Sequence, residues 1–318
     1  MSDHEQHPDL PTTFDLVQRL TRDVRAAAST LSSSEARFIV DYYYTLQEDR
    51  IRALNQAKQL TKSGEPHGVV QWLGEQAQTL EAQLKRALDA YGDAHRAGRW
   101  AKSITGIGPV IAAGLLAHVD ITRCPAAGNL WSFAGLNPTA TWEKGQKRPW
   151  NARLKTLTWK IGESFVKVSS NDKDYYGRFI IDRKALEVAR NLEGAYADEA
   201  RRALSQKNYG DDTDAKVWYS GRMTREDAEA FYATPPESRG PGLAAKLAKD
   251  RKPGEGLPML PPAHVHARAK RYAVKLFLSH YHHVAWHAHY GEPPKPPYIV
   301  THAADHVHHI VPPNWPID

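Results

Sequence analysis

Apolar residues recur at alternating intervals of four and three along two stretches of the chain, and that rhythm admits little besides long helices. The first stretch carries Ile39, Tyr43, Leu46, Arg50, Ala53, Ala57 and Leu60, with Arg50 as the one break in the seam. The second carries Leu73, Ala77, Leu80, Leu84, Ala87 and Tyr91. Such spacing puts every member on one stripe, as in a coiled coil. The breaker Lys62-Ser-Gly-Glu-Pro-His-Gly68 lies between them. Two joined helices are therefore expected, either as members of an ordinary bundle or as a protruding antiparallel hairpin used for dimerisation. Ser32, Ser33 and Ser34 ahead of Glu35 offer an N-cap for the first.

The rest of the chain also reads as helical. A helix is expected from near Thr13, with Phe14, Leu16, Val17 and Leu20 as its apolar residues, after a loose tail. Further helices are expected over 125–135, 151–170, 176–204 and 263–290. Residues 206–262 are rich in Gly, Pro, Asp and Lys and read as an insertion or partly ordered loop, with a short helix at 225–232. No internal repeat and no alternating strand pattern stands out. The expected organisation is a tail and helix (1–34), a coiled-coil helical hairpin (35–98), a central helical domain (99–205), the insertion (206–262), and a C-terminal helix with a Pro- and His-rich tail (263–318).

The chain has 318 residues, with 42 Lys and Arg against 36 Asp and Glu, a formal charge of +6. A basic balance favours a polyanionic partner. Cys124 is the single cysteine, which excludes an intrachain disulfide and a Cys-rich zinc site. No run approaches the length of a membrane span. The acidic, polar start differs from a secretory signal, so a cytoplasmic location is expected.

The most specific motif is Ile104-Thr-Gly-Ile-Gly-Pro-Val-Ile-Ala-Ala-Gly-Leu-Leu-Ala-His118. A helix should end near Ile104, Gly106 and Gly108 should supply a tight turn with unusual backbone angles, and Pro109 should open a second helix. A turn of this kind leaves backbone N–H groups directed outward, where they suit a phosphate oxygen. This is the helix-hairpin-helix pattern of sequence-independent DNA binding, with Gly106, Gly108 and Val110 as backbone donors; the alternative is a Gly-rich turn between two core helices. From 143 to 160 there are six cations, Lys144, Lys147, Arg148, Arg153, Lys155 and Lys160, and one acid, a local charge of +5. Trp142, Trp150 and Trp159 are interleaved with them. Cations neutralise phosphates and indoles stack on bases, although a solvated face with core tryptophans would show the same composition.

Eleven of the 16 histidines lie from His264 to His309. His283 and His287 are four apart, and Asp305-His-Val-His308 adds further ligand types, but no Cys or Glu-x-x-His partner accompanies them. A structural reading is preferred, with no metal and no cofactor. No phosphate-binding Gly-x-x-x-x-Gly-Lys loop, identifiable Ser-His-Asp set or acidic nuclease cluster is found.

Together, Ser103 to Leu116, Asp120-Ile121 and Trp131-Ser-Phe-Ala-Gly-Leu-Asn-Pro138 resemble the C-terminal domain of the IS110 and IS116 insertion-sequence transposases, also called bridge recombinases. The likeness extends over about 69–205 and 263–290. It implies a role in DNA transposition or recombination, a coiled coil, and a guide RNA as a further partner, while the heptad stripe of the two long helices leads to the expectation of a homo-oligomer. The family carries an N-terminal RuvC-like domain with acidic metal ligands; the residues ahead of the coiled coil here read as helix, so that domain is expected to be absent. The family's nucleophilic serine stands in a Ser-Gly pair after Ala-Gly-Leu-x-Pro, whereas the matching pair here is Lys144-Gly145, and the hydroxyls of Thr139 and Thr141 do not precede a glycine. No catalytic residue is assigned. The expectation is an all-α protein, a helical coiled-coil hairpin plus a helix-hairpin-helix core and C-terminal helix, that binds DNA as a transposase homologue or derivative. Two other readings stay open: a recombinase that takes its nuclease in trans, and a structural or regulatory coiled-coil dimer.

Overall fold

The computed structural model describes residues 18–65, 67–211, 213–295 and 310–317. Among these, α- and 3₁₀-helices account for all regular structure and no strand occurs. The helix expected from Thr13 and the run around Asp305 and His308 fall outside the described residues. A short helix, α1 (Arg22–Ala27), follows, capped by the Thr21 side chain.

The chain divides into two compact units, residues 1–158 with 278–318, and residues 159–277. In the first, α2 (Ser33–Lys62) and α3 (Gly68–Asp93) form an antiparallel hairpin. Ser32 and Glu35 close a reciprocal capping box at the start of α2, satisfying two backbone donors that would otherwise lack partners. Arg50, the break in the apolar seam, is matched across the hairpin: its Nε donates to Glu81 Oε2 at 2.6 Å. The Tyr43 hydroxyl donates to Glu81 Oε1 at 3.0 Å. The charge is thus compensated inside the seam, the condition under which a half-buried ion is tolerated.

At its open end the hairpin is covered by α5 (Pro109–His118). Ala36, Val40 and Tyr43 of α2, Leu88 and Tyr91 of α3, and Val110, Ala113 and Ala117 of α5 form one buried cluster. Here each long helix buries more than a single stripe, because it faces both its partner and α5. Toward the α2–α3 turn α5 is absent, and Val69, Trp72 and Leu73 are exposed.

Between the hairpin and α5 lies α4 (Arg96–Ser103), which packs on both α3 and α5. Gly98 permits this: a Cβ there would stand 2.2 Å from the Gly92 carbonyl oxygen. The described residues 310–317 bind α4. The Trp100 indole donates to Pro313 O at 2.7 Å, and Asn314 Nδ2 to Ser103 O at 3.2 Å. Arg96 lies over the Trp315 ring. The unit also contains α6 (Ala127–Phe133) and the first residues of α7 (Ala152–Val168).

In the second unit, the stretch expected as one helix over 176–204 is two, α8 (Tyr176–Leu192) and α9 (Ala197–Gln206), separated at Gly194, whose φ is +82°. Residues 206–262 are more ordered than an insertion loop. They hold α10 (Asp214–Tyr219), α11 (Arg225–Ala233) and α12 (Leu243–Leu247). Val217, Trp218, Met223, Ala228, Phe231, Ala244, Ala248 and Met259 pack these helices on one another. The long α13 (Pro262–Tyr290) begins in this unit and ends in the first. Glu187 is almost fully buried, where Arg183 and Arg268 neutralise it at 2.6 and 2.8 Å.

Candidate nucleic-acid interface

The Gly-rich motif forms a helix, a tight turn and a second helix. After α4, the Ile107 N–H donates to Ile104 O at 2.9 Å, and α5 begins at Pro109. Ile104 and Ile107 are buried and anchor the turn from the inside. Gly106 has φ +95°, in the left-handed region that side chains resist.

Gly108 departs from expectation. It has φ −90° and ψ 175°, extended backbone open to any residue, and it caps α5. It is exposed, and a Cβ built on it would meet no heavy atom within 4 Å. Space is therefore open beside Gly108 at the start of α5, the end of the helix whose first N–H groups lack intrahelical partners. The Val110 side chain is buried in the hairpin cluster, so it is not a contact for a ligand.

Residues 141–149 are exposed throughout. The loop is shaped by Gly145, with φ +94°, and by the Trp142 indole, which donates to Gln146 O at 2.7 Å. The Arg148 guanidinium lies 4.8 Å from the Trp142 ring centroid, and Lys155 Nζ 4.1 Å from that of Trp150. Each of these two indoles thus carries a protein cation over its ring. The Asn151 N–H donates to Phe133 O at 2.9 Å and ties the loop's end to α6. Among the described residues, Lys144, Lys147, Arg148 and Lys155 have no carboxylate within 4 Å, while Arg153 meets Asp41 at 3.6 Å. Trp159 and Lys160, counted with this segment in the sequence, belong to the other unit.

Other candidate groups are engaged structurally. The Thr139 hydroxyl donates to Asn137 Oδ1 at 2.8 Å. The His282 ring bonds to Cys124 O at 2.7 Å and that of His280 to Ile310 O at 2.8 Å. His287 Nδ1 accepts from the Trp315 indole at 3.2 Å. Among the described residues no group of three or more His, Cys, Asp or Glu is placed to hold a metal ion. Likewise, no described helix is long and apolar enough to cross a membrane. The cation–indole pairs have no signal in the sequence beyond composition, because loop residues lack a periodicity that would say which ones meet.

Residues 99–176, about a quarter of the chain, match the family model described as Transposase IS116/IS110/IS902 family. The matched stretch runs from within α4 through the turn, α5, α6, the basic loop and α7. The segment is thus similar to a domain of that transposase family. No curated protein and no solved structure shows a significant match to the chain.

Proposed function

We propose that this protein binds DNA as part of transposition or recombination, by holding phosphates at the α4–α5 turn and along the 144–155 segment. The observation that carries the reading is the set of exposed cations left without carboxylate partners in the domain that also bears the open turn. Gly106 sets the turn, Gly108 leaves room for a phosphate, and the Val110 amide adds a donor. Lys144, Lys147, Arg148, Arg153 and Lys155 neutralise the strand. Contacts of this kind read no sequence. Each cation–phosphate contact releases counterions and adds roughly one to the salt slope of binding.

The experiment is a salt titration of duplex binding by the whole protein. The triple variant Lys144→Ala, Lys147→Ala, Arg148→Ala should lower the slope by about 3 and weaken unrelated duplexes alike. An unchanged slope removes this segment from the interface. A guide RNA and a nuclease acting in trans belong to this reading through the family likeness, and either would appear as a copurifying nucleic acid or protein.

One observation favours a second reading, a coiled-coil homodimer. An apolar groove on the hairpin is lined by Leu46, Ala53, Val70, Leu73, Ala77 and Leu80. Light scattering tests it: a wild type that stays monomeric at working concentration overturns dimerisation.

A further inference from the structure

The C-terminal end of α5, opposite the turn, opens on a cavity of about 520 Å³. That volume lies within the range of small-molecule sites. Its walls come from the start of α2, the end of α5 and the segment after it, α6, and His289 near the end of α13. Two arginines, Arg37 and Arg123, reach it. Arg37 donates to Ser34 Oγ, and neither arginine has a carboxylate oxygen within 4 Å among the described residues.

His118 lines the same cavity, is 8 % exposed, and has a buried Nδ1 without a hydrogen-bond partner. Such an atom costs free energy unless something pairs with it. Burial holds the His118 pKa below its usual value, so the ring is neutral near pH 7, with one donor and one acceptor.

Asp120 supplies the opposite chemistry. Its Oδ1 accepts from the Thr122 amide and hydroxyl at 3.1 and 2.6 Å. The Thr122 hydroxyl bond is also the main cause holding this carboxyl below the usual range. Its second oxygen makes neither of these bonds. Phe133 adds an aromatic face, more than a third exposed. The cavity therefore joins cations for an anion, an acceptor for amino protons, and a ring.

A nucleotide carries these three complements: phosphate, exocyclic amine and flat base. Position selects a nucleotide within a strand. The basic loop ends where Asn151 bonds to Phe133 O, at a residue of the cavity wall, and the Arg153 charge is felt at His118. A strand held by the basic segment is thus led to the cavity's edge.

We propose that this cavity takes one unpaired nucleotide of the bound DNA, its phosphate on Arg37 and Arg123, its base against Phe133, and its amino group turned to Asp120. The inference rests on the DNA-binding reading and names a structural feature of the DNA that the chain prefers. A perfectly paired duplex would use the turn and the basic segment alone.

The test compares a paired duplex with the same duplex carrying one extra, unpaired 2-aminopurine, using the whole protein. The expected result is about tenfold tighter binding of the bulged duplex, a stacking-sized effect, with quenching of the 2-aminopurine fluorescence. Arg123→Gln and Asp120→Asn, both at exposed positions, should bring that preference within about twofold and leave paired-duplex affinity unchanged. Equal binding of both duplexes, or a preference that survives both substitutions, overturns the proposal while duplex binding stands. Displacement of the fluorescent signal by adenosine monophosphate at equimolar concentration overturns the strand-borne nucleotide in favour of a free one. Failure to bind either duplex removes the DNA-binding reading itself, and this inference with it.

Discussion

Gly106 and Gly108 stand two apart in one turn, yet substitution should affect them in different ways. Gly106, at φ +95°, loses conformational freedom that an L side chain cannot recover. Gly106→Ala should lower stability by about 1–2 kcal/mol in urea unfolding. Gly108 caps α5 with ordinary angles and open space before it. Gly108→Asp should keep the cap, add a charge favourable to the helix dipole, and leave stability unchanged or slightly raised. The same carboxylate would repel a phosphate, so duplex affinity should fall by about tenfold or more. Stability and binding moving in opposite directions would separate a DNA contact from a core turn; unaltered binding by Gly108→Asp would leave the turn purely structural. Both glycines were legible in the sequence as turn formers, but not their difference. The motif says that a tight turn occurs, while which residue takes the left-handed angles depends on how Ile104 and Ile107 are anchored in the core. The partners of Trp142 and Trp150 were similarly hidden: a sequence gives the nearness of cations and indoles along the chain, and the loop's fold decides which ones touch.

The helices that could be read are those whose ends carry local chemistry. The N-cap ahead of Glu35 and the break at 62–68 act within a few residues, and the structure has both. Two features escaped because tertiary packing decides them. The seam reading puts Leu73 on the buried stripe, but α5 covers only the other end of the hairpin, so Leu73 stays exposed while Leu88, off the stripe, is fully buried. Residues 206–262 look like a loop by composition, yet Trp218, Phe231 and Met259, far apart in sequence, meet in one small core. That explanation yields a prediction. Leu88→Ala should cost about 2–5 kcal/mol, as for a fully buried leucine in a core, whereas Leu73→Ala should cost well under 1 kcal/mol. Thermal or urea unfolding of the pair decides it; equal losses would mean that the seam, and not the contact with α5, governs the hairpin.

At the scale of the whole molecule, the titrating groups act together. Burial holds the pKa of His118 below its usual value; Arg37 and Arg153 add to this and Asp41 opposes it. His282 is lowered by burial, with the bond to Cys124 O acting against. His266 is lowered by burial, then by Lys184 and Lys270, with Glu163 opposing. All three are therefore harder to protonate folded than unfolded. As pH falls below about 6.5, the unfolded chain takes up protons that the folded one refuses, and stability is lost; above that value the contribution is complete. The carboxylates repeat the sign at lower pH. Burial pushes the Glu187 carboxyl up, but hydrogen bonds from Tyr196 and Arg268 and the charges of Arg268 and Arg183 outweigh it, and the net shift is downward. For Glu199 the bond from His264 is the largest cause of lowering. Their contribution is present above about 4.5 and is lost as pH falls through the depressed values. Because both sets fall in the same direction, the urea midpoint should be level from pH 8 to 7, decline between about 6.5 and 5, and decline again below about 4.5. His118→Gln should make the first decline shallower, by no more than one proton's worth of slope, and leave the second in place. A midpoint that rises between pH 7 and 5.5 would show that the buried histidines gain charge on folding, contrary to the environment that surrounds them.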